Sequence, residues 1–306
     1  MILGAHLGIA KGLPEAVADL GAIGGEALQI FSKSPQMWDG PPIAPAAAES
    51  FRAAVRDRHV RATAVHHGYL ANLASPKPDT LARSRGAFRD EVARAELLGV
   101  DALIFHPGAH LGSGTEVGLK TLAESLRRAL DERPDGRVRL LLENAAGQGT
   151  TLGSTFEELA SALAAVDAPA RLGVTLDTCH LFAAGWDFRT EEGYGRLVDR
   201  VRDTVGTETV RAFHLNDAKA ELGSHLDRHE NIGKGQIGLD GFRHVLADAR
   251  WDSVPGYLET PLDEREGYAR YAEDLRTLRS VEPPRGETAS GTPVRRRARR
   301  ASSTIK

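Results

Sequence analysis

Six short apolar runs in this chain each end in a residue that can bind a metal. They read AVHH (with His66), LIFH (to His106), LLLE (to Glu143), GVTLD (to Asp177), RAFH (to His214) and GYLE (to Glu259). Apolar runs of this length are candidate buried strands of a parallel sheet. In an α/β barrel, the C-terminal end of a strand opens onto the mouth where that fold keeps its chemistry. Six such ends at one mouth would form a cage of oxygen and nitrogen donors, and a coincidence in register six times over is a poor explanation.

The rest of the chain agrees with this frame. ILGAHLGI and ALQIF (Ala27 to Phe31) read as the first two strands, and LPEAVADLGAIG between them has helical spacing with a glycine stop. PDTLARSRGAFRDEVARAELLG predicts a long amphipathic helix ending at Gly99. TEVGLKTLAESLRRALDERPDG and STFEELASALAAVD read likewise, the second opening on Ser154/Thr155 with Glu157/Glu158 as a capping arrangement. Strand and helix alternate eight times. That pattern predicts an α/β fold, a closed (β/α)8 TIM barrel over residues 1–282 with a metal site at the C-terminal mouth. No G-x-G-x-x-G follows a strand, which argues against a dinucleotide-binding sheet.

The length of 306 residues suits one such barrel. One cysteine, Cys179, excludes an internal disulfide and fits a reducing cytoplasm. No apolar run nears the ~20 residues of a membrane span, and no basic segment precedes the first apolar stretch, so neither membrane nor export is expected. Residues 283–306 lose all apolar periodicity and are expected to be a disordered basic tail. Its RRRARR is either a solvated terminus or an electrostatic tether for nucleic acid. Pro284 to Lys306 hold six Arg, one Lys and one Glu, a net +6, which leaves −9 on the preceding body against −3 for the whole chain. So acidic a body looks wrong for a nucleic-acid binder, but bound divalent ions would offset it.

Two further clusters extend the donor set: His180, three residues after Asp177, and the Asp227-Arg228-His229 step. The candidates are then His66, His106, Glu143, Asp177, His180, His214, Asp227, His229 and Glu259. Zinc takes three or four protein ligands, so nine donors with one bridging carboxylate fit three ions. His67 should point away from the mouth, and Cys179 reads as a packed thiol. His6 and His110 lie near the mouth without a comparable case.

At these residues the chain resembles the endonuclease IV family of apurinic/apyrimidinic endonucleases. The matching words are HHGYLANLASP (66–76), FHPGAH (105–110), ENAAGQGTTLG (143–153), LDTCHLFAAGWD (176–187), HLNDAK (214–219), DRHENIGKGQIG (227–238) and ETP (259–261), in family order over about 1–280. The resemblance implies a trinuclear zinc cluster: one ion on His66, His106 and bridging Glu143, a second on Glu143, Asp177, His214 and Glu259, a third on His180, Asp227 and His229. Mn2+ is allowed at one position. It implies cleavage of double-stranded DNA 5′ to an abasic site, leaving a 3′-hydroxyl, and trimming of blocked 3′ ends; a cytoplasmic monomer is expected besides. Tyr69 matches a family tyrosine at the DNA-contacting loop. Gln36, in IFSKSPQMW (30–38), stands where family members place an arginine that enters the DNA.

Phosphodiester hydrolysis needs a nucleophile, charge on the phosphate and a stabilised leaving oxygen, which zinc ions can supply. Glu143 and Glu259 are the carboxylates best placed to orient the water. Lys33, Gln36, Trp38, Tyr69 and Asn72, in loops 32–42 and 67–76, suit phosphate contacts and wedging. The alternative is a metal-dependent sugar isomerase or epimerase on a similar barrel. Such a site needs one or two Mn2+ or Mg2+ ions and would leave His180, Asp227 and His229 without a use. A non-catalytic nucleic-acid-binding module working through the tail would leave all nine donors unexplained.

Overall fold

The computed structural model describes residues 1–263 and 267–282; the basic tail expected over 283–306 lies outside the described residues. Eight parallel strands close into a barrel: β1 (Ile2–Leu7), β2 (Ala27–Ile30), β3 (Ala62–His66), β4 (Ala102–Phe105), β5 (Arg139–Glu143), β6 (Leu172–Asp177), β7 (Val210–His214) and, after a two-stranded insertion, β10 (Pro255–Leu258), which pairs with β1 to complete the ring. The insertion is the short antiparallel pair β8 (Asp217–Ala218) and β9 (His229–Glu230). The helices are α1 (Leu13–Ala22), α2 (Pro45–Asp57), α3 (Pro78–Leu98), α4 (Thr115–Asp131), α5 (Phe156–Val166), α6 (Thr178–Ala183), α7 (Glu191–Thr204), α8 (Gly238–Ala247) and α9 (Ala269–Val281). Among the described residues no helix is long and apolar enough to cross a membrane.

Local signals set the helix ends. Proline opens α1, α2 and α3, where its missing N–H costs nothing and its fixed φ suits the first turn. Gly99 ends α3 in the left-handed region at φ 69°. Thr155 caps α5 by accepting from Glu158 N–H, and Glu158 reaches back to the N–H of Gly153 at 2.7 Å. The expected capping arrangement is therefore present, with the glutamate serving the loop ahead of the cap.

Two apolar layers hold the barrel. The larger joins strand faces to helices, with Phe51, Phe88, Leu126, Phe242 and Leu275 among its buried members. The smaller fills the barrel lumen with Ile2, Ala27, Ala62, Ala64, Ala102, Ile104, Leu141, Ala212 and Tyr257. Small side chains dominate the lumen because eight strands leave little width. Crowding is tightest at Gly4, where a Cβ would lie 1.6 Å from the Ala27 carbonyl oxygen.

Candidate metal centre

Strand alternation builds the site. Side chains of a strand face the lumen at every second residue. Two residues beyond the lumen positions Gly4, Ala27, Ala64, Ile104, Leu141, Thr175, Ala212 and Tyr257 come His6, Gln29, His66, His106, Glu143, Asp177, His214 and Glu259. Every strand thus places a polar residue at the mouth, above an apolar floor. All six strand-end candidates are in this ring. The long connection after β7 folds over it and adds Asp227 and His229, while the first turn of α6 adds His180.

These donors fall into groups of metal-binding dimensions. His66, His106 and Glu143 form one; Glu143, Asp177, His214 and Glu259 a second; His180, Asp227 and His229 a third, with the donor atoms of each within 4.8 Å of one another. Donors on one ion at 2.0–2.1 Å should lie roughly 3–4 Å apart. Here His66 Nε2 is 3.1 Å from Glu143 Oε2, and His106 Nδ1 is 3.7 Å from the same oxygen. His214 Nδ1 lies 2.9 Å from Glu143 Oε1, 3.4 Å from Glu259 Oε2 and 3.8 Å from Asp177 Oδ2. His180 Nε2 and His229 Nε2 lie 3.2 and 3.1 Å from the two oxygens of Asp227. Glu143 turns one oxygen to each of two groups, which is the geometry of a bridge.

The imidazole tautomers decide what these approaches mean. Nδ1 of His66 faces the His67 carbonyl at 2.8 Å, Nδ1 of His180 the Asn144 carbonyl at 2.8 Å, and Nδ1 of His229 the Glu259 carbonyl at 3.1 Å. A carbonyl only accepts, so each Nδ1 carries a proton, and Nε2 is the nitrogen left to face a carboxylate. These nitrogens point at carboxylate oxygens. The buried Nε2 atoms of His180 and His229 have no hydrogen-bond partner. A lone pair against a carboxylate is repulsive unless a proton or a metal ion lies between, so the donor set fits a bound cation, and its grouping fits metal ions.

Surrounding groups hold the carboxylates. Asp177 caps α6 by accepting from His180 N–H at 2.9 Å and receives Asn216 Nδ2 at 2.7 Å. Asp217 accepts backbone N–H groups from Ala218, Gly233, Gly235, Ile237 and Gly238, pinning the loop that follows His229. Burial opposes charge throughout the cage; at His106 it prevails and lowers the ring's pKa, while at most of the other donors the close pairing outweighs it. Glu143 and Glu259 are held well below the usual carboxylate range by the facing imidazoles, and His214 and His229 are pushed up to about 9 by the facing carboxylates. The cage is built to hold positive charge.

The remaining candidates separate by environment. Gln36 is exposed, and Tyr69 stands 63% exposed with its ring 6.3 Å from His66. Lys33 is turned inward: only 6% exposed, it pairs with Asp90 at 2.7 Å and Glu91 at 3.0 Å on α3. Asn72 is spent on a loop bracket, donating to the Ala109 carbonyl at 2.8 Å and accepting from Ala109 and Ala74 N–H. Trp38 packs beneath Arg83, 4.5 Å from its guanidinium carbon. His67 is buried against Phe88, away from the mouth. Cys179 is buried, and burial pushes its thiol up to about 12. Sequence reasoning passed over Gln29 and gave His6 no role. A cavity of about 650 Å³ opens beside the ring, lined by His6, Phe31, Tyr69, Glu259, Tyr268 and Tyr271 among others.

Residues 15–281 match the family described as xylose isomerase-like TIM barrel. A Chlorobium luteolum protein bearing the name "Probable endonuclease 4" is 44% identical over 279 residues, spanning 90% of this chain and 98% of the relative. The chain belongs to the endonuclease IV family. A second "Probable endonuclease 4", from Geobacter sulfurreducens, is 40% identical over 91% of this chain and 94% of its own length. The crystal structure of endonuclease IV from Thermus thermophilus superposes with a TM-score of 0.80 at 35% identity, covering 92% of this chain and 98% of that one. As an endonuclease IV family member the chain is a nuclease, a phosphodiester hydrolase. A D-tagatose 3-epimerase-like protein reaches a TM-score of 0.68 at 20% identity, over 92% of this chain and 98% of that one. That likeness is one of fold alone, and the sugar-isomerase alternative rests on nothing more.

Proposed function

We propose that this nuclease is a zinc-dependent apurinic/apyrimidinic endonuclease of base excision repair. It hydrolyses the phosphodiester 5′ to an abasic site in double-stranded DNA, leaves a 3′-hydroxyl and trims blocked 3′ ends. The observation that carries the reading is the set of imidazole nitrogens aimed at carboxylates in three groups of metal-binding dimensions. Five imidazoles among nine donors favour zinc over Mg2+, with Mn2+ admissible at one position. On this reading each chain holds three ions, on His66/His106/Glu143, on Glu143/Asp177/His214/Glu259 and on His180/Asp227/His229. Divalent ions bound there supply positive charge to the scissile phosphate and a water of lowered pKa.

The chain's own residues supply order. Glu143 is 1% exposed and holds both oxygens toward imidazoles, so its part is to anchor two groups. Glu259 is 17% exposed and lines the cavity, so it is the carboxylate a substrate and its water can reach. In this reading Glu259 Oε2 orients the attacking water, while Oε1 stays engaged with Gln29. Seven of the ten exposed large apolar side chains among the described residues sit on mouth loops: Met37, Tyr69, Leu70, Leu111, Leu222, Leu226 and Leu262. Such a rim suits wedging into a duplex where pairing is already lost. Gln36 and Tyr69 are the DNA contacts favoured by exposure. Lys33 and Asn72 would then act from beneath, by shaping the two loops. A buried thiol that stays protonated suits a reducing cytoplasm, and we take the working unit to be a monomer.

The test is nicking of a duplex carrying one abasic site, with polymerase extension of the product reporting a 3′-hydroxyl, beside elemental analysis of the purified protein. Three ions per chain and a single extendable nick are expected. One ion or fewer, or no nick after Zn2+ loading, overturns the reading.

A further inference from the structure

Gln29 is the one member of the mouth ring without an ionisable side chain, and with His6 it stands outside the metal-capable groups. It is fully buried, in mid-strand on β2, with no access to a substrate. Its amide nevertheless touches three of the ring's charged or ionisable members. Nε2 donates to Glu259 Oε1 at 2.6 Å and lies 2.9 Å from His6 Nδ1. Oε1 faces His214 Nε2 at 2.8 Å.

Only one orientation of this amide satisfies its neighbours. The Glu259 carboxylate accepts and cannot donate, so the amide must present N–H to it. That forces Oε1 toward His214. An amide oxygen accepts, so His214 Nε2 must carry a ring proton. His214 Nδ1 is then the nitrogen that can give up its proton to a metal ion, and it is Nδ1 that faces Glu143, Asp177 and Glu259. The other three pinned imidazoles take their tautomer from backbone carbonyls and present Nε2. His214 is aimed the other way round and takes its tautomer from a side chain.

We propose that Gln29 is a positioning residue which fixes the Nε2–H tautomer of His214 and one oxygen of Glu259, and so presets the Glu143/Asp177/His214/Glu259 group for its ion. This rests on the metal reading of the site, but the tautomer claim stands on hydrogen bonds alone. Gln29→Leu removes both contacts at similar volume. Gln29→Glu keeps an acceptor for His214 but sets a second carboxylate against Glu259.

The experiment uses the full chain with 15N-labelled histidine. In chelator-treated wild type at pH 10, above the value of about 9 to which the facing carboxylates push this ring, His214 should give the ring signature of a single Nε2–H tautomer. Gln29→Leu should give a mixture of tautomers, and Gln29→Glu should retain the wild-type form. Titration with Zn2+ against a competing indicator should then show one site weakened about 10- to 100-fold in Gln29→Leu, the others unchanged. A lowered melting temperature with unchanged tautomer and isotherm would mean a packing role only, and overturns the proposal. Loss of the wild-type tautomer in Gln29→Glu also overturns it, which keeps the test decisive if Gln29→Leu does not fold. A wild-type chain that binds no Zn2+ removes the metal reading, while the tautomer measurement still decides the role of Gln29.

Discussion

Acid should weaken this protein through His67, a residue with no part in the chemistry. His67 is 6% exposed, packs 5.3 Å from the Phe88 ring, and donates Nδ1–H to the Gly68 carbonyl at 2.8 Å. Its Nε2 is buried without a partner. Protonation would place an unpaired N–H and a positive charge there, with the Lys33 ammonium already nearby. Burial, reinforced by Lys33, therefore holds the His67 pKa down to about 4. The unfolded chain binds this proton with a pKa of ~6.5. The folded value is the lower one, so the contribution to stability is full above pH 6.5 and is lost as pH falls through 4. Linkage gives a loss of about 2 kcal/mol by pH 5 and about 3 kcal/mol by pH 4. The consequence reaches the mouth, because the His67 carbonyl is what pins the His66 ring. His67→Phe keeps a ring against Phe88 and removes the titration. Urea unfolding of both proteins in chelator, at pH 7, 6, 5 and 4.5, should show the wild type losing about 2 kcal/mol more than the variant between pH 7 and 5. Parallel losses would refute the reasoning, since every other titrating group is common to both.

Glu259→Gln should retain the fold but lose about 100-fold or more in nicking, the scale of a misplaced reactant; near-wild-type nicking would remove Glu259 from the chemistry. Asp217→Asn should cost about 1.5–3 kcal/mol, because five backbone N–H groups lose a charged acceptor, and hydrogen exchange over residues 233–238 should quicken; unchanged exchange there would dismiss Asp217 as the loop's anchor. Gln36→Arg should tighten binding to abasic duplex by about 1–2 kcal/mol at low salt, through a charge-assisted contact that Gln cannot make; equal affinity would take loop 30–38 off the binding surface. Deleting residues 284–306 should leave saturated turnover unchanged and flatten the plot of log affinity against log salt by about 0.9 for each phosphate the tail neutralises; an unchanged slope would make the tail a bystander.

Six of the eight ring positions were legible because the inward-facing residue falls at the end of its apolar run, where a polar residue breaks the pattern. On β1 and β2 one more apolar residue follows, Leu7 and Ile30, so His6 and Gln29 are enclosed within their runs. Counting every second residue from the lumen positions Gly4 and Ala27 would have found both. Lys33 and Asn72 are a different case. Both have the composition of a DNA-contacting loop, but Lys33 is claimed by Asp90, 57 positions away, and Asn72 by Ala109, 37 positions away. Nothing local announces such partners. The insertion that brings Asp227 and His229 over the ring was visible as residue types, while the Asp217 anchor that folds it down was not.

The acceptors that aim His66, His180 and His229 belong to the main chain, and this bears on how the site withstands random mutation. A carbonyl oxygen is present whatever side chain its residue carries. Replacements at 67 or 144 leave the acceptor in place so long as the backbone keeps its path, and at 259 the acceptor likewise survives even if the carboxylate does not. The orientation of these three rings is therefore hard to damage by single codon changes outside the ligands themselves. His214 has no such protection. Drift in lineages that carry this architecture should accordingly concentrate its compensations around position 29, where a change in one amide must be answered by a change in whatever else can hold the ring.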